Sequence, residues 1–151
     1  MAVGKASEPF VREGCVAYEE KIRRYSDLTV ILVREEKIPA KGKLEHILRA
    51  EGRRIREKLP AEGYRVALDE KGQLLSSSSF ALFLKKEIES GQKQMTFILG
   101  GPYGLEEALR KEASFALALS PMTLTHGMAR ILLLEQIYRS FTLMRGEPYH
   151  K

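Results

Sequence analysis

FILGGPYGL, residues 97–105, is the stretch on which the fold turns. The apolar run 95–99 stops abruptly at Gly100-Gly101-Pro102. A buried strand ending in a tight loop has this pattern. Paired glycines at a strand end let backbone approach a ligand closely. An ordinary turn uses the same residues, and the motif alone does not separate the two readings. Downstream the chain reads SFALALSPMTLTHGMARILLLEQIYRSFTLMRGEPYHK, residues 114–151. A second apolar run, 115–119, ends in the polar segment 120–125, and the longest helical pattern, 127–144, follows. The chain closes on Glu147-Pro148-Tyr149-His150-Lys151.

Upstream, strand and helix patterns alternate. Residues 1–5 leave room for only a short strand before Gly4-Lys5. Residues 9–25 read as a helix, with Ser7 as its cap and Pro9 in its first turn. LTVILV, residues 28–33, is a β-rich run. Residues 43–59 form an amphipathic helix whose apolar set is Leu44, Ile47, Leu48, Ile55 and Leu59. Its other face carries Lys41, Lys43, Arg49, Arg53, Arg54, Arg56 and Lys58, either a solvated face or a phosphate-binding ridge. YRVAL, residues 64–68, is a strand that ends in the turn signal Asp69-Glu70-Lys71-Gly72. Four serines, 76–79, cap a helix over 80–90. Strand 93–99, helix 105–112 and strand 115–119 complete the order. Such alternation predicts a single α/β domain over 1–151, a parallel sheet with helices on both faces.

Composition narrows the function classes. The chain has 151 residues, 44% hydrophobic and 30% charged, which is ordinary for a soluble globular protein. Nothing approaches the roughly 18 apolar residues of a membrane span, and no apolar secretory segment opens the chain. Cys15 is alone, which predicts no intrachain disulfide and no cysteine metal cluster, in keeping with a reducing cytoplasm. Three scattered histidines add no metal-ligand spacing, so no metal is expected. A net charge of +5 suits a nucleic-acid partner without requiring one. GGPYG is neither GxGxxG nor a P-loop, so no dinucleotide or NTP site is indicated.

In a parallel α/β sheet, ligands sit beyond the carboxyl ends of strands. Three strand ends qualify here, at Leu68, at Gly100-Gly101 and over 119–125. The helix 127–144 is apolar nearly all round, which predicts cover from its own domain and from a second copy in a homodimer. His126 and Arg130 share the sector of Leu133, Ile137 and Phe141. Arg130 is therefore either a salt-bridged structural arginine or a site residue. Glu135 and Arg139 are spaced as an intrahelical pair.

GGPYGL, LSPMTLTHGMARILLLEQIYRSF and the terminal PYHK resemble the ribosomal large-subunit methyltransferase H family. The resemblance runs from Val3-Gly4-Lys5 through Leu68-Asp69 to Lys151. It implies a SPOUT-class fold with a C-terminal trefoil knot, which periodicity cannot reveal and general topology rules would deny. It implies transfer of a methyl group from S-adenosylmethionine to N3 of a pseudouridine in 23S rRNA, on the assembled ribosome, by a homodimer. The implied cofactor-binding positions are Leu68, Gly100, Gly101, Leu119, Ser120, Pro121, Met122, Thr123 and Leu124. Backbone recognition there explains why these loops carry small and polar side chains. The resemblance also implies that the tail completes the partner subunit's site. Tyr103 and Thr125 depart from the family's usual residues.

Methylating N3 requires loss of its proton, so a base or an anion-stabilising cation is needed. The catalytic candidates are Arg130, His126, Tyr149 and His150, with Lys151 as a further cation. The competing reading is a non-catalytic ribosome-binding protein that uses the basic helix and keeps a vestigial pocket.

Overall fold

The computed structural model describes residues 1–37 and 43–149. The element order is β1 (Ala2–Val3), α1 (Pro9–Ile22), β2 (Leu32–Val33), α2 (Leu44–Lys58), β3 (Tyr64–Leu74), α3 (Ser77–Glu89), β4 (Met95–Ile98), α4 (Glu107–Glu112), β5 (Phe115–Ala118) and α5 (His126–Met144). Every pairing between these strands is parallel, as the alternation predicted. A bridge from Ala2 to Leu99 joins the pair β1-β2 to the trio β4-β3-β5, giving the order β5-β3-β4-β1-β2.

Strand side chains alternate between two cores, as the pleat requires. Ala2, Val66, Leu99 and Leu117 pack with Val11, Cys15 and Ile22 of α1, Phe80 and Leu84 of α3, and Leu133, Leu134 and Ile137 of α5. Val3 and Ile98 point the other way, onto Val33, Ile55 of α2 and Leu109 of α4. Three helices therefore cover one face and two cover the other.

α5 lies between α1 and α3. It approaches α1 closely where glycines leave room. A Cβ at Gly127 would sit 3.1 Å from Val11, and one at Gly14 would sit 3.2 Å from Ile131. From Ala129 to Met144 no α5 residue is exposed. One chain thus covers α5 in part: six of its residues are buried and the rest of this span is half-buried. The Thr125 hydroxyl caps α5 by accepting from the Met128 amide at 3.3 Å.

Several local expectations change. Ser7 is not a cap: Glu8 occupies that position without a side-chain bond, and Pro9 opens the helix. The four serines do cap α3, with Ser76 Oγ accepting from the Ser79 amide at 3.1 Å, so the helix starts at Ser77 and includes the last three. The run 28–33 yields only Leu32–Val33 as strand, because its neighbour β1 is two residues long. Upstream of β1, between residues 29–31 and 95–97, lies a cavity of about 580 Å³. The Met1 ammonium donates to the Phe97 carbonyl at 2.8 Å beside it. Burial, then Arg130, pulls that amine's pKa down to about 6.

The turn signal after Leu68 does not end its strand. β3 continues to Leu74, and Leu68 and Gln73 both stand level with Leu117. The intervening residues break the register, and Asp69 Oδ1 accepts from the Lys71 amide at 2.8 Å. Gly72 lies against the backbone of β5, where a Cβ would come within 2.7 Å of the Ala116 carbonyl carbon.

Candidate active site

Parallel pairing sends the carboxyl ends of β3, β4 and β5 to one edge. Ala67 is level with Ile98, and Leu68 with Leu117. Leu68, Gly100, Gly101 and Leu119 therefore lie within a residue or two of one level on three adjacent strands: β4 and β5 end there, while β3 breaks register after Leu68 and runs on to Leu74. Residues 120–124 then lead to the α5 cap. In that loop Ser120 Oγ accepts from the Met122 amide at 2.9 Å. Pro121, Met122 and Thr123 are exposed, and Leu124 is half-buried. Tyr103, Met122 and Met128 present exposed apolar side chains around this edge.

The two glycines are needed first for the loop itself. The Gly104 amide donates to the Gly101 carbonyl at 3.0 Å, and Gly104 holds φ +83°. A Cβ on Gly100 would collide with the Gly104 carbonyl. A Cβ on Gly101 would point inward, 3.2 Å from Glu51 Oε2 and 3.2 Å from Val3. A cavity of about 250 Å³ adjoins the end of β5. Leu75, Ser76, Ser77, Leu119, Leu132 and Gln136 line part of it. It touches one of the three loops. The larger cavity is on the far side of β1 and includes none of the nine proposed cofactor positions.

The catalytic candidates do not converge within one chain. His126 is the first residue of α5, beside the end of β1. Its Nε2 is 3.7 Å, and Glu35 Oε2 is 3.2 Å, from where a Cβ on Gly4 would stand. An imidazole and a carboxylate thus flank Gly4, whose φ of +77° turns the chain toward α1. Arg130, one turn deeper, faces Glu19 of α1 at 3.9 Å and is 12% exposed. Its surroundings match the structural arginine reading. Tyr149 folds back on its own α5. Its hydroxyl donates to Glu135 Oε1 at 3.2 Å, lies 3.5 Å from the Tyr18 hydroxyl, and its ring meets Tyr138 edge-on at 4.8 Å. Burial, the Tyr18 hydroxyl and the Glu135 carboxylate hold its pKa above the usual phenol value. Glu135 lies nine residues along the helix from His126, about 14 Å at the α-helical rise. Glu135 also accepts from Arg139 at 2.9 Å, as the spacing foretold. His150 and Lys151 lie outside the described residues.

The basic face of α2 is largely spoken for. Arg49 pairs with Glu45, Arg53 with Glu57, Arg54 with Glu36, and Arg56 with Glu106 and Glu112. Lys58 Nζ donates to the Leu32 carbonyl at 2.8 Å. The solvated-face reading fits this pattern better than a phosphate ridge. Lys41 lies outside the described residues.

Sequence reasoning passed over Glu51. It is 3% exposed, and Ile47, Glu51 and Ile55 succeed one another at i,i+4 on the buried face of α2. A lone carboxylate inside an apolar stripe is a readable signal. Among the described residues, no group of three or more His, Cys, Asp or Glu is placed to hold a metal ion. No helix among them is long and apolar enough to cross a membrane.

A family model described as "Predicted SPOUT methyltransferase" matches residues 1–150. Among curated proteins, a "Ribosomal RNA large subunit methyltransferase H" from Syntrophotalea carbinolica is 43% identical over 150 residues, spanning 99% of this chain and 96% of that protein. One of the same name from Carboxydothermus hydrogenoformans is 41% identical over 154 residues, spanning 100% and 97%. Another, from Geobacter sp. strain M21, is 43% identical over 148 residues, spanning 98% and 94%.

Proposed function

The chain belongs to the SPOUT methyltransferase family, and on that premise we propose that it binds S-adenosylmethionine at the common edge of β3, β4 and β5. It is a ribosomal RNA methyltransferase, as its relatives are named. Its target is N3 of a pseudouridine in 23S rRNA, presented on the assembled ribosome. It works in the cytoplasm as a homodimer with a knotted C-terminal segment, as the resemblance implies. What supports this reading is that Leu68, at the register break of β3, stands level with the ends of β4 and β5 that lead into Gly100-Gly101 and Leu119.

The donor set fits such a cofactor. The loop 119–124 holds no charged side chain and the Gly100–Gly104 turn is closed on itself, so recognition falls to backbone amides and carbonyls. Exposed Tyr103 and Met122 supply apolar cover for a purine. When bound, S-adenosylmethionine supplies an electrophilic methyl on its sulfonium. Leu68, Gly100, Gly101 and residues 119–124 hold and orient it. Much of the rate then comes from positioning. His126, at the same edge, takes the proton that leaves N3. Arg130, one turn behind, adds positive potential toward the developing anion. Tyr149 and His150 would serve through the tail in the partner subunit's site, for which Tyr149 would leave its contacts with Glu135 and Tyr138 of its own chain.

Calorimetry with S-adenosylmethionine tests the site. Wild type takes up about one equivalent per chain. Gly100→Ala forces the loop away from Gly104 and weakens binding at least tenfold. Unchanged affinity in that variant overturns the assignment. The ribosome-binding reading without catalysis has less support, since the basic side chains of α2 named above already have partners.

A further inference from the structure

Glu51 joins two loops that leave the same sheet edge. It sits mid-helix in α2, where burying a carboxylate is costly unless the geometry uses it. One oxygen accepts the Glu36 amide at 3.0 Å, just after β2. The other stands 3.2 Å from where a Cβ on Gly101 would be, just after β4. Arg54, one turn along α2, pairs with the Glu36 side chain and donates to the Arg34 carbonyl at 3.0 Å. The adjacent Gly52 makes room for Glu106, which Arg56 also holds, at 2.7 Å. One helix face thus lies beneath the Gly100–Gly104 turn and holds the segment after β2 next to it. A side chain larger than hydrogen at 101 would displace Glu51.

We infer that Glu51 is a positioning residue for methyl transfer, fixing the Gly100-Gly101 backbone in the conformation that receives the cofactor. The inference rests on the cofactor site proposed above. Glu51 itself touches neither cofactor nor RNA. Burial, with the Glu35 and Glu36 carboxylates nearby, raises its pKa, while the Glu36 amide and Arg54 oppose the rise. Glutamine keeps the shape of the side chain and an oxygen that can accept the Glu36 amide.

Calorimetry and steady-state kinetics on three variants decide it, with S-adenosylmethionine and ribosomes as probes. Glu51→Ala raises the cofactor Kd tenfold or more and leaves kcat at saturating cofactor within threefold, while KM for ribosomes is little changed. Glu51→Gln, which still accepts from the Glu36 amide, recovers most of the lost affinity. Binding stoichiometry reports the folded fraction separately from Kd, so a merely structural role would lower the stoichiometry and leave Kd alone. If Glu51→Ala does not fold, Glu51→Asp carries the test: it keeps the carboxylate, withdraws it from Glu36, and raises Kd at least fivefold. A Kd within twofold of wild type in the folded alanine or aspartate variant overturns the inference. So does a glutamine variant as weak as alanine. Wild type that takes up no cofactor fells the reading of the site, and this inference with it.

Discussion

Thr125 stands where the resembled family usually has another residue, and the structure gives it work. Its hydroxyl caps α5 one residue before His126. Thr125→Ala should cost ~1 kcal/mol and lower Tm by about 3 °C. A Tm unchanged within error on thermal denaturation would show that the cap contributes nothing. Gly101→Val is a poor probe of the ligand space, since its Cβ heads for Glu51 and Val3. It should lose about 1–3 kcal/mol of stability through overpacking, measured by urea unfolding. Full stability would mean that α2 yields there freely. Tyr149 shows the reverse lesson. A terminal tyrosine reads as loose chain, yet its hydroxyl reaches Glu135 and its ring packs on Tyr138. The proposed cofactor positions come from the family resemblance; loop composition alone leaves an ordinary turn equally open at Gly100-Gly101. Glu51 escaped because it was read past while tracing the apolar stripe that contains it, and Glu35 because only folding brings it beside Gly4 and His126.

At the scale of elements, what was legible was their order and type, and what was not was where they stop. Strand length is set by partners: the run 28–33 is β-forming, but β1 offers it two residues. Residues 29–31 and 95–97 line the cavity of about 580 Å³, and the Met1 ammonium is bonded to the Phe97 carbonyl beside it. This has a pH consequence. The amine's ordinary value is 8.0 and its folded value about 6, so the unfolded chain binds more protons between those limits. Stability should rise from pH 6 to pH 8 by about 2–3 kcal/mol from this group alone. Urea midpoints of the free and N-acetylated chains should diverge as pH falls from 8 to 6, the acetylated one being the more stable. Parallel curves would refute the buried charge.

For the whole molecule, alternating strands and helices announced a parallel sheet covered on both faces, and that is what the chain builds. A knot, which the family resemblance implies, is something periodicity does not show, because threading leaves no mark in local sequence. The dimer expected from α5 stands as a proposal: one chain buries part of that helix and leaves most of its residues half-buried and Met128 exposed. Exposed Phe10 and Val16 on α1, with Met128 and Met122, are among the exposed apolar side chains open to a second copy. Light scattering should find a dimer at micromolar concentration, and Met128→Glu should weaken it at least tenfold. A monomeric wild type would remove the shared-site role of the tail.

The central claim is methyl transfer to ribosomal RNA from the edge of β3, β4 and β5. Its most direct test is transfer of labelled methyl from S-adenosylmethionine to ribosomes, isolated subunits and naked RNA, followed by nucleoside analysis of the product. The label should appear on 23S rRNA of assembled ribosomes as N3-methylpseudouridine, at a level that Gly100→Ala sharply reduces. No incorporation into ribosomes that carry the unmodified pseudouridine, by a chain shown to be folded, would contradict it.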